Sequence, residues 1–129
     1  MTRLVLATLL VAACGGDDGG GGTPDAAMAD GMMNTNKVQA VTCPATVDAT
    51  VTTESAVDAY MPMTTTVPVN GIVKFEMVGA HNVAPNTLTT TDPGLAVNFG
   101  ETKCLKFTAA GTFGFFCTPH GFTGTITVQ

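Results

Sequence analysis

The sequence predicts an all-β protein of the β-sandwich class, and three observations carry this prediction. From Val38 onward the chain consists of short runs rich in Val, Thr, Ile and Phe, which are residues that favour strands. Pro, Asn and Gly interrupt these runs at intervals typical of a sandwich. No long segment has apolar residues at the helical period. With 129 residues in all, the chain has room for one domain, which we assign to residues 38–129.

The first residues predict export. A short positive start, Met1-Thr-Arg3, precedes an apolar run over residues 4–13 that is too short to span a bilayer, so residues 1–13 are interpreted as a signal peptide. The run ends in Leu10-Val11-Ala12-Ala13-Cys14, which resembles a bacterial lipobox, where the cysteine becomes the lipid-bearing N-terminus. Ordinary cleavage at an A-x-A-like site is the alternative.

Residues 14–37 are expected to form a flexible tether, because they are rich in glycine and have almost nothing to bury. This arrangement implies a protein anchored to the cell envelope by lipid and facing the periplasm, or displayed at the cell surface. Gly15 after Cys14 resembles the default for sorting to the outer membrane rather than the inner one.

The charge of the chain limits its partners. A net charge of −5 and a pI of about 4.6 argue against nucleic acid and favour basic protein partners. We expect the domain to act as a monomer.

Two strands are predicted to lead toward the first histidine. Residues 63–69 and 72–77 flank Asn70-Gly71, a dipeptide that favours a type I′ hairpin. Alternation in the second strand places Val73, Phe75 and Met77 on its core face, with His81 just beyond its end.

Two further strands are predicted near the end of the domain. In the strand over residues 102–108, Leu105 and Phe107 point inward and Cys104 faces the other way. In the strand over residues 112–117, alternation turns Phe113 and Cys117 to the core. A last strand covers residues 124–129.

One cysteine and two histidines form a candidate metal site. Cys117 and His120 lie on one short turn at C-x-x-H spacing, and His81 offers a third ligand. Thiolate and imidazole together favour copper or zinc over magnesium or calcium, and one Cys with two His is the trigonal set of a blue-copper site.

The chain segments around these residues resemble a known family. Lys74-Phe-Glu-Met-Val-Gly-Ala-His81-Asn82-Val83 and Gly111-Thr-Phe-Gly-Phe-Phe-Cys117-Thr-Pro-His120 are similar to the two ligand segments of the cupredoxins, in the branch of plastocyanin, pseudoazurin and amicyanin. The resemblance extends over residues 38–129. It implies a Greek-key β-sandwich of about seven to eight strands, one copper ion per domain bound by His81, Cys117 and His120, and single-electron transfer between redox protein partners rather than enzymatic activity.

The resemblance also assigns roles around the metal. Asn82 matches the residue that braces the site through its side chain and the residue after the cysteine, here Thr118. Pro119 matches a residue that removes an N–H close to the sulfur. The family normally has an axial Met shortly after the second histidine, and none follows His120 here. We therefore expect Phe122 or Thr123 to face the axial direction, with no strong axial ligand and a raised reduction potential.

Of the four cysteines, two are free to pair with each other. Cys14 lies in the lipobox and Cys117 beside His120, so an exported chain is expected to join Cys43, in the first strand of the domain, to Cys104. The alternative is two unpaired thiols.

Three functions compete at this stage. The first is a membrane-tethered electron carrier. The second is an envelope lipoprotein that binds or delivers copper without electron transfer, and the third is a metal-free interaction module. A multicopper oxidase or nitrite reductase is excluded, because two histidines cannot build a second copper centre.

Overall fold

The protein, described from a computed structural model over residues 36–89 and 92–129, is an all-β sandwich, as the sequence predicts. The predicted signal peptide (residues 1–13), Cys14 and most of the predicted tether lie outside the described residues. Nine strands are present in the described ranges: β1 Val38–Val41, β2 Ala49–Glu54, β3 Val57–Met61, β4 Thr64–Val67, β5 Ile72–Glu76, β6 Ala84–Pro85, β7 Thr102–Phe107, β8 Gly111–Phe116 and β9 Thr123–Val128. The count exceeds the expected seven to eight, and β6 has only two residues.

The strands form two sheets. One sheet has five strands in the order β1-β7-β5-β2-β3, and the other has four in the order β4-β9-β8-β6. Most neighbours are antiparallel, but β2 pairs with β5 and β4 pairs with β9 in parallel. Parallel neighbours need a crossover connection, so strands that are consecutive in the chain often belong to different sheets. Over the described residues we find no helix with the length and apolar character needed to cross a membrane.

The predicted hairpin at Asn70-Gly71 is wrong. Asn70 has a positive φ of 68°, and the Gly71 N–H donates to the Pro68 carbonyl at 2.8 Å, so the chain does turn there. However, the strands on either side belong to different sheets. Val67 and Val73 are both buried and face the same core from opposite sheets, and this burial outweighs the local preference of the dipeptide for a hairpin.

The core fills the space between the two sheets and extends to the end of the sandwich that carries Cys117. Its buried members are mainly Val, Leu, Ile and Phe side chains, with Tyr60 and Cys117 among them. Cys43 and Cys104, the two cysteines paired in the sequence analysis, are joined by a disulfide. Cys43 follows β1 rather than lying in it, and Cys104 is fully buried on β7.

The two ends of the sandwich differ in what they hold. Glu76, at the end of β5, pairs with Thr102 at the start of β7, and His81 follows beyond this end. At the other end Val38 pairs with Phe107, and the Lys37 N–H donates to Asp92 Oδ2. Lys37, expected to be the last residue of the tether, is thus already fixed to the domain. The chain enters the domain at the end remote from His81.

Candidate metal centre

Three side chains converge at one end of the sandwich. Cys117 Sγ lies 3.7 Å from His81 Nδ1 and 3.5 Å from His120 Nδ1, and the two Nδ1 atoms are 3.2 Å apart. A point equidistant from the corners of a triangle with these sides is about 2.0 Å from each, close to the length of a metal–imidazole bond. The three residues predicted as ligands are therefore brought together around a space of the size that one transition-metal ion needs.

His81 is held by backbone groups on several sides. The chain turns after β5, with the His81 N–H donating to the Val78 carbonyl at 3.0 Å, and this carbonyl also accepts the Gly100 N–H at 3.1 Å. On the ring, Nε2 lies 3.1 Å from the Glu54 carbonyl. A carbonyl oxygen only accepts, so Nε2 carries the proton and Nδ1 keeps a lone pair near Cys117 Sγ and His120 Nδ1. The His81 side chain is 1% exposed.

Cys117 and His120 share one short loop. Cys117 directly follows β8, its N–H donates to the Phe122 carbonyl at 3.0 Å, and its own carbonyl accepts the Gly121 N–H at 2.8 Å. Gly121 has a φ of 74°, a left-handed conformation that glycine adopts without steric cost. The loop is closed by its own backbone, and it places the buried Cys117 thiol beneath the exposed His120 ring.

Phe122 packs against both imidazoles. Its ring centroid is 5.1 Å from that of His81 in an edge-on arrangement and 6.2 Å from that of His120 in a stacked one. Thr123 begins β9, is exposed and pairs with Phe116. Of the two residues expected to face the axial direction, Phe122 is the one in contact with the ligand rings.

Asn82 and Thr118 connect the two ligand segments. Asn82 Oδ1 accepts hydrogen bonds from the Thr118 backbone N–H at 2.9 Å and from its hydroxyl at 3.1 Å. Pro119, which has no N–H, is exposed next in the loop. The bracing pair expected from the sequence thus binds directly, over a sequence separation of 36.

Tyr60 is a part of the site that the sequence analysis missed. Its hydroxyl donates to the Asn82 carbonyl at 2.6 Å, and its ring contacts that of Phe122, with centroids 4.6 Å apart. Burial, together with the negative charge of the nearby Cys117, raises the pKa of Tyr60 above its ordinary value. The phenol therefore stays protonated and remains a donor.

Thr53 and Glu54 were also missed, at the end of β2. Thr53 Oγ1 accepts the Val78 N–H at 3.0 Å, and the Glu54 carbonyl faces the His81 ring. Thr53 is one of three threonines in Thr50-Val51-Thr52-Thr53, and nothing local distinguishes it. Its 5% exposure is the first sign of a role, and only the folded chain provides it.

The donor set fits a copper ion. One sulfur and two ring nitrogens are soft to intermediate donors, and carboxylates are absent from the triad. This composition suits copper and matches the two-histidine, one-cysteine arrangement of blue-copper centres.

Comparisons with known proteins agree with this geometry. Residues 45–129 match the family described as copper binding proteins, plastocyanin/azurin family. Plastocyanin from Prochlorothrix hollandica is 31% identical over 97 residues, which cover 66% of this chain and 74% of that protein. Plastocyanin from Scenedesmus fuscus is 58% identical over 33 residues, covering 23% of this chain and 34% of that protein. The chain thus spans about a third of the length of that plastocyanin.

Solved structures show the same fold. Amicyanin from Paracoccus versutus superposes with a TM-score of 0.56 at 21% identity, covering 73% of this chain and 99% of that one. The Cu(I) form of an amicyanin variant superposes with a TM-score of 0.57 at 22% identity, covering 73% of this chain and all of that one.

Proposed function

Because the chain belongs to the plastocyanin/azurin family of copper-binding proteins, we propose that it is a single-domain blue copper protein that carries single electrons between redox partners. The cupredoxin resemblance predicted from the two ligand segments is confirmed by the family match. Copper is the metal that this family binds. His81, Cys117 and His120 are the ligands that we propose for it.

The observation that carries the proposal is the triangle of donor atoms. Sγ and two Nδ1 atoms lie within 3.7 Å of one another, and they come from two segments that Asn82 and Thr118 tie together. Bound copper supplies the chemistry, a change between Cu(II) and Cu(I). The protein supplies a donor geometry that both oxidation states accept, so little has to reorganise when the electron moves.

The chain's own residues divide the work. Cys117 and His81 are buried, which keeps water away from the thiolate and one face of the site. His120 is exposed and would be the ligand through which a partner exchanges electrons with bound copper. Phe122 contacts both imidazole rings and no methionine follows His120 in the sequence, so we propose a site without a strong axial donor. We further propose a carrier without enzymatic activity, which acts as a monomer.

Absorption of the copper-loaded domain tests the function. We expect an intense visible band from charge transfer between the Cys117 thiolate and Cu(II), and we expect Cys117→Ser to abolish it. Thr123→Ala, at an exposed position next to the site, is the control and should keep the band. Cyclic voltammetry of the loaded domain should show a reversible one-electron wave.

The same experiments distinguish a copper-delivery protein. Cargo copper would leave rapidly to a chelator and show no reversible wave. The burial of His81 and Cys117 argues for slow release instead. A colourless, freely chelatable copper complex would therefore contradict the electron-transfer proposal.

We propose in addition that the domain is exported and tethered to the envelope by lipid on Cys14, with the outer membrane favoured over the inner one. The lipobox-like segment and the Gly-rich residues after it support this. The chain also enters the domain at Lys37, remote from His120, which would leave the exposed ligand free to meet partners. Metabolic labelling with a fatty-acid analogue should mark the wild type and not Cys14→Ser, which should be released in soluble form.

A further inference from the structure

The β2–β3 hairpin contacts the first ligand segment at three points. We call residues 78–82 the His81 segment. Glu54 presents its carbonyl to His81 Nε2, Thr53 Oγ1 accepts the Val78 N–H, and the Tyr60 hydroxyl donates to the Asn82 carbonyl. The hairpin therefore holds the segment at its start, at its ligand and at its end.

Thr53 acts on the start of the segment. Its side chain is buried, and its oxygen fixes the N–H of Val78, whose carbonyl accepts two further hydrogen bonds from His81 and Gly100. The peptide groups on both sides of the Val78 Cα are therefore anchored. Because the His81 N–H is bonded to this same residue, displacement of Val78 would displace the imidazole.

Tyr60 acts on the end of the segment. The phenol oxygen is 2.6 Å from the Asn82 carbonyl, while the Asn82 side chain reaches across to Thr118. The Tyr60 ring is wedged between those of Phe115 and Phe122, with centroids 4.7 and 4.6 Å away. Packing of the ring thus fixes the position from which the hydroxyl donates.

An irregularity in the hairpin makes these contacts compatible. The register between β2 and β3 shifts between Thr52 and Glu54. Such a bulge re-aims side chains and bends the strand. Here Thr53 points into the interior while the following carbonyl faces His81.

We propose that Thr53 and Tyr60 are positioning residues, which fix the orientation of the His81 imidazole through Val78 and Asn82. This inference rests on the proposed function only for its copper readout. The preorganisation that it describes exists in the metal-free protein and can be measured there.

The variants are chosen to remove one oxygen each. Thr53→Val and Tyr60→Phe keep nearly the same shape and lose the hydroxyl. Thr52→Val is the matched control, on the same strand, because the Thr52 hydroxyl bonds only to the Met61 carbonyl at 3.4 Å, away from the His81 segment. Thr53→Ser keeps the hydroxyl and should behave like the wild type.

Two measurements read the position of His81. In the metal-free protein, NMR follows hydrogen exchange of the His81 Nε2–H, which is buried and bonded to the Glu54 carbonyl and should exchange slowly. We expect Thr53→Val and Tyr60→Phe to speed this exchange at least roughly tenfold, because an unfixed ring leaves its carbonyl partner more often. In the copper form, we expect a shifted absorption band and a copper affinity weaker by about 10–100-fold, the usual effect of losing a partner of a ligand.

Opposite results decide against the proposal. If Thr53→Val and Tyr60→Phe lower the melting temperature but leave Nε2–H exchange and the absorption band equal to those of Thr52→Val, the two residues are merely structural. Should Thr53→Val fail to fold, Thr53→Ala removes the same oxygen, and Tyr60→Phe against Thr52→Val gives the comparison at the other end of the His81 segment. A wild type without a visible band, but with exchange that these variants accelerate, would overturn the proposed function and support the positioning role.

Discussion

The two histidines that we propose as ligands are held in different ways. His81 is buried and bonded through Nε2 to the Glu54 carbonyl, and its N–H donates to the carbonyl of Val78, a residue that Thr53 and Gly100 also hold. His120 is exposed, and the loop that carries it is closed by bonds within residues 117–122. One histidine depends on distant parts of the chain, and the other depends mainly on its own neighbours, with a further contact between Thr118 in its loop and Asn82.

This difference separates two requirements of an electron-transfer site. A ligand that resists reorganisation must be fixed by surroundings that do not move, which long-range contacts with a packed interior provide. A ligand that passes electrons must reach the surface, where fewer contacts are available. The sandwich meets both requirements by drawing the ligands from two segments of unlike environment.

The largest expected effect comes from deleting each imidazole in turn. In His120→Gly, free imidazole can enter from solvent, so we expect it to restore the visible band of the copper-loaded protein. In His81→Gly, the missing ring leaves a buried space beside the Glu54 carbonyl, and we expect no recovery at the same imidazole concentration. Titration of both variants with imidazole, followed by absorption, makes the comparison. Equal recovery would show that burial does not distinguish the two ligands.

Removal of the disulfide is expected to lower the stability of the domain without changing the metal site. Cys43 and Cys104 close a loop with a sequence separation of 61. The chain-entropy description gives a loss of about 4 kcal/mol in the free energy of unfolding when both are replaced by serine. Urea unfolding should detect this loss, while the visible band stays unchanged. A change of the band would mean that the disulfide also affects the geometry of the metal site.

Replacing the residue that faces both imidazoles should change the potential. Phe122→Met brings a thioether toward the side that its ring now covers. An axial donor stabilises Cu(II) more than Cu(I), so we expect the reduction potential to fall by about 60 mV. This corresponds to an increase of about tenfold in the affinity of the site for Cu(II) relative to Cu(I). Phe122→Leu removes the ring without adding a donor and serves as the control. Equal potentials in the two variants would place the axial direction elsewhere.

The smallest effect is expected at the contact between the two ligand segments. Asn82→Ala removes the acceptor of two hydrogen bonds from Thr118. Thr118 is exposed and water can replace the lost acceptor, so we expect a loss of about 1 kcal/mol in the free energy of unfolding. Electron self-exchange measured by NMR should slow modestly, because the position of His120 relative to His81 is then less rigidly fixed. An unchanged stability would show that the bridge adds nothing to the loop's own bonds.

The ligand segments could be predicted because their signals are local. C-x-x-H on one turn fixes two donors within a few residues of each other, and the run ending at His81 follows a strand of clear alternation. The pairing of Cys43 with Cys104 followed from elimination among four cysteines. None of these predictions required knowledge of which strands are neighbours.

The predictions failed where distant strands compete. Asn70-Gly71 favours a hairpin by itself, yet β4 pairs with β9 and β5 lies between β2 and β7. Thr53 and Tyr60 carry no local mark, because a threonine in a threonine-rich strand and a lone tyrosine fit many environments. Their contacts with the His81 segment, over separations of 25 and 22 residues, exist only after the sheet has formed.

The sequence by itself predicted the fold class, the family and the three side chains that converge, because each of these depends on local patterns of residue types. Only the tertiary structure decided which parts of the chain orient those donors and which ligand is buried. Orientation depends on strand order and on a register shift between β2 and β3. Strand order and the register shift both result from the joint burial of side chains that are far apart in the chain. Short-range sequence patterns do not encode which of these side chains pack together.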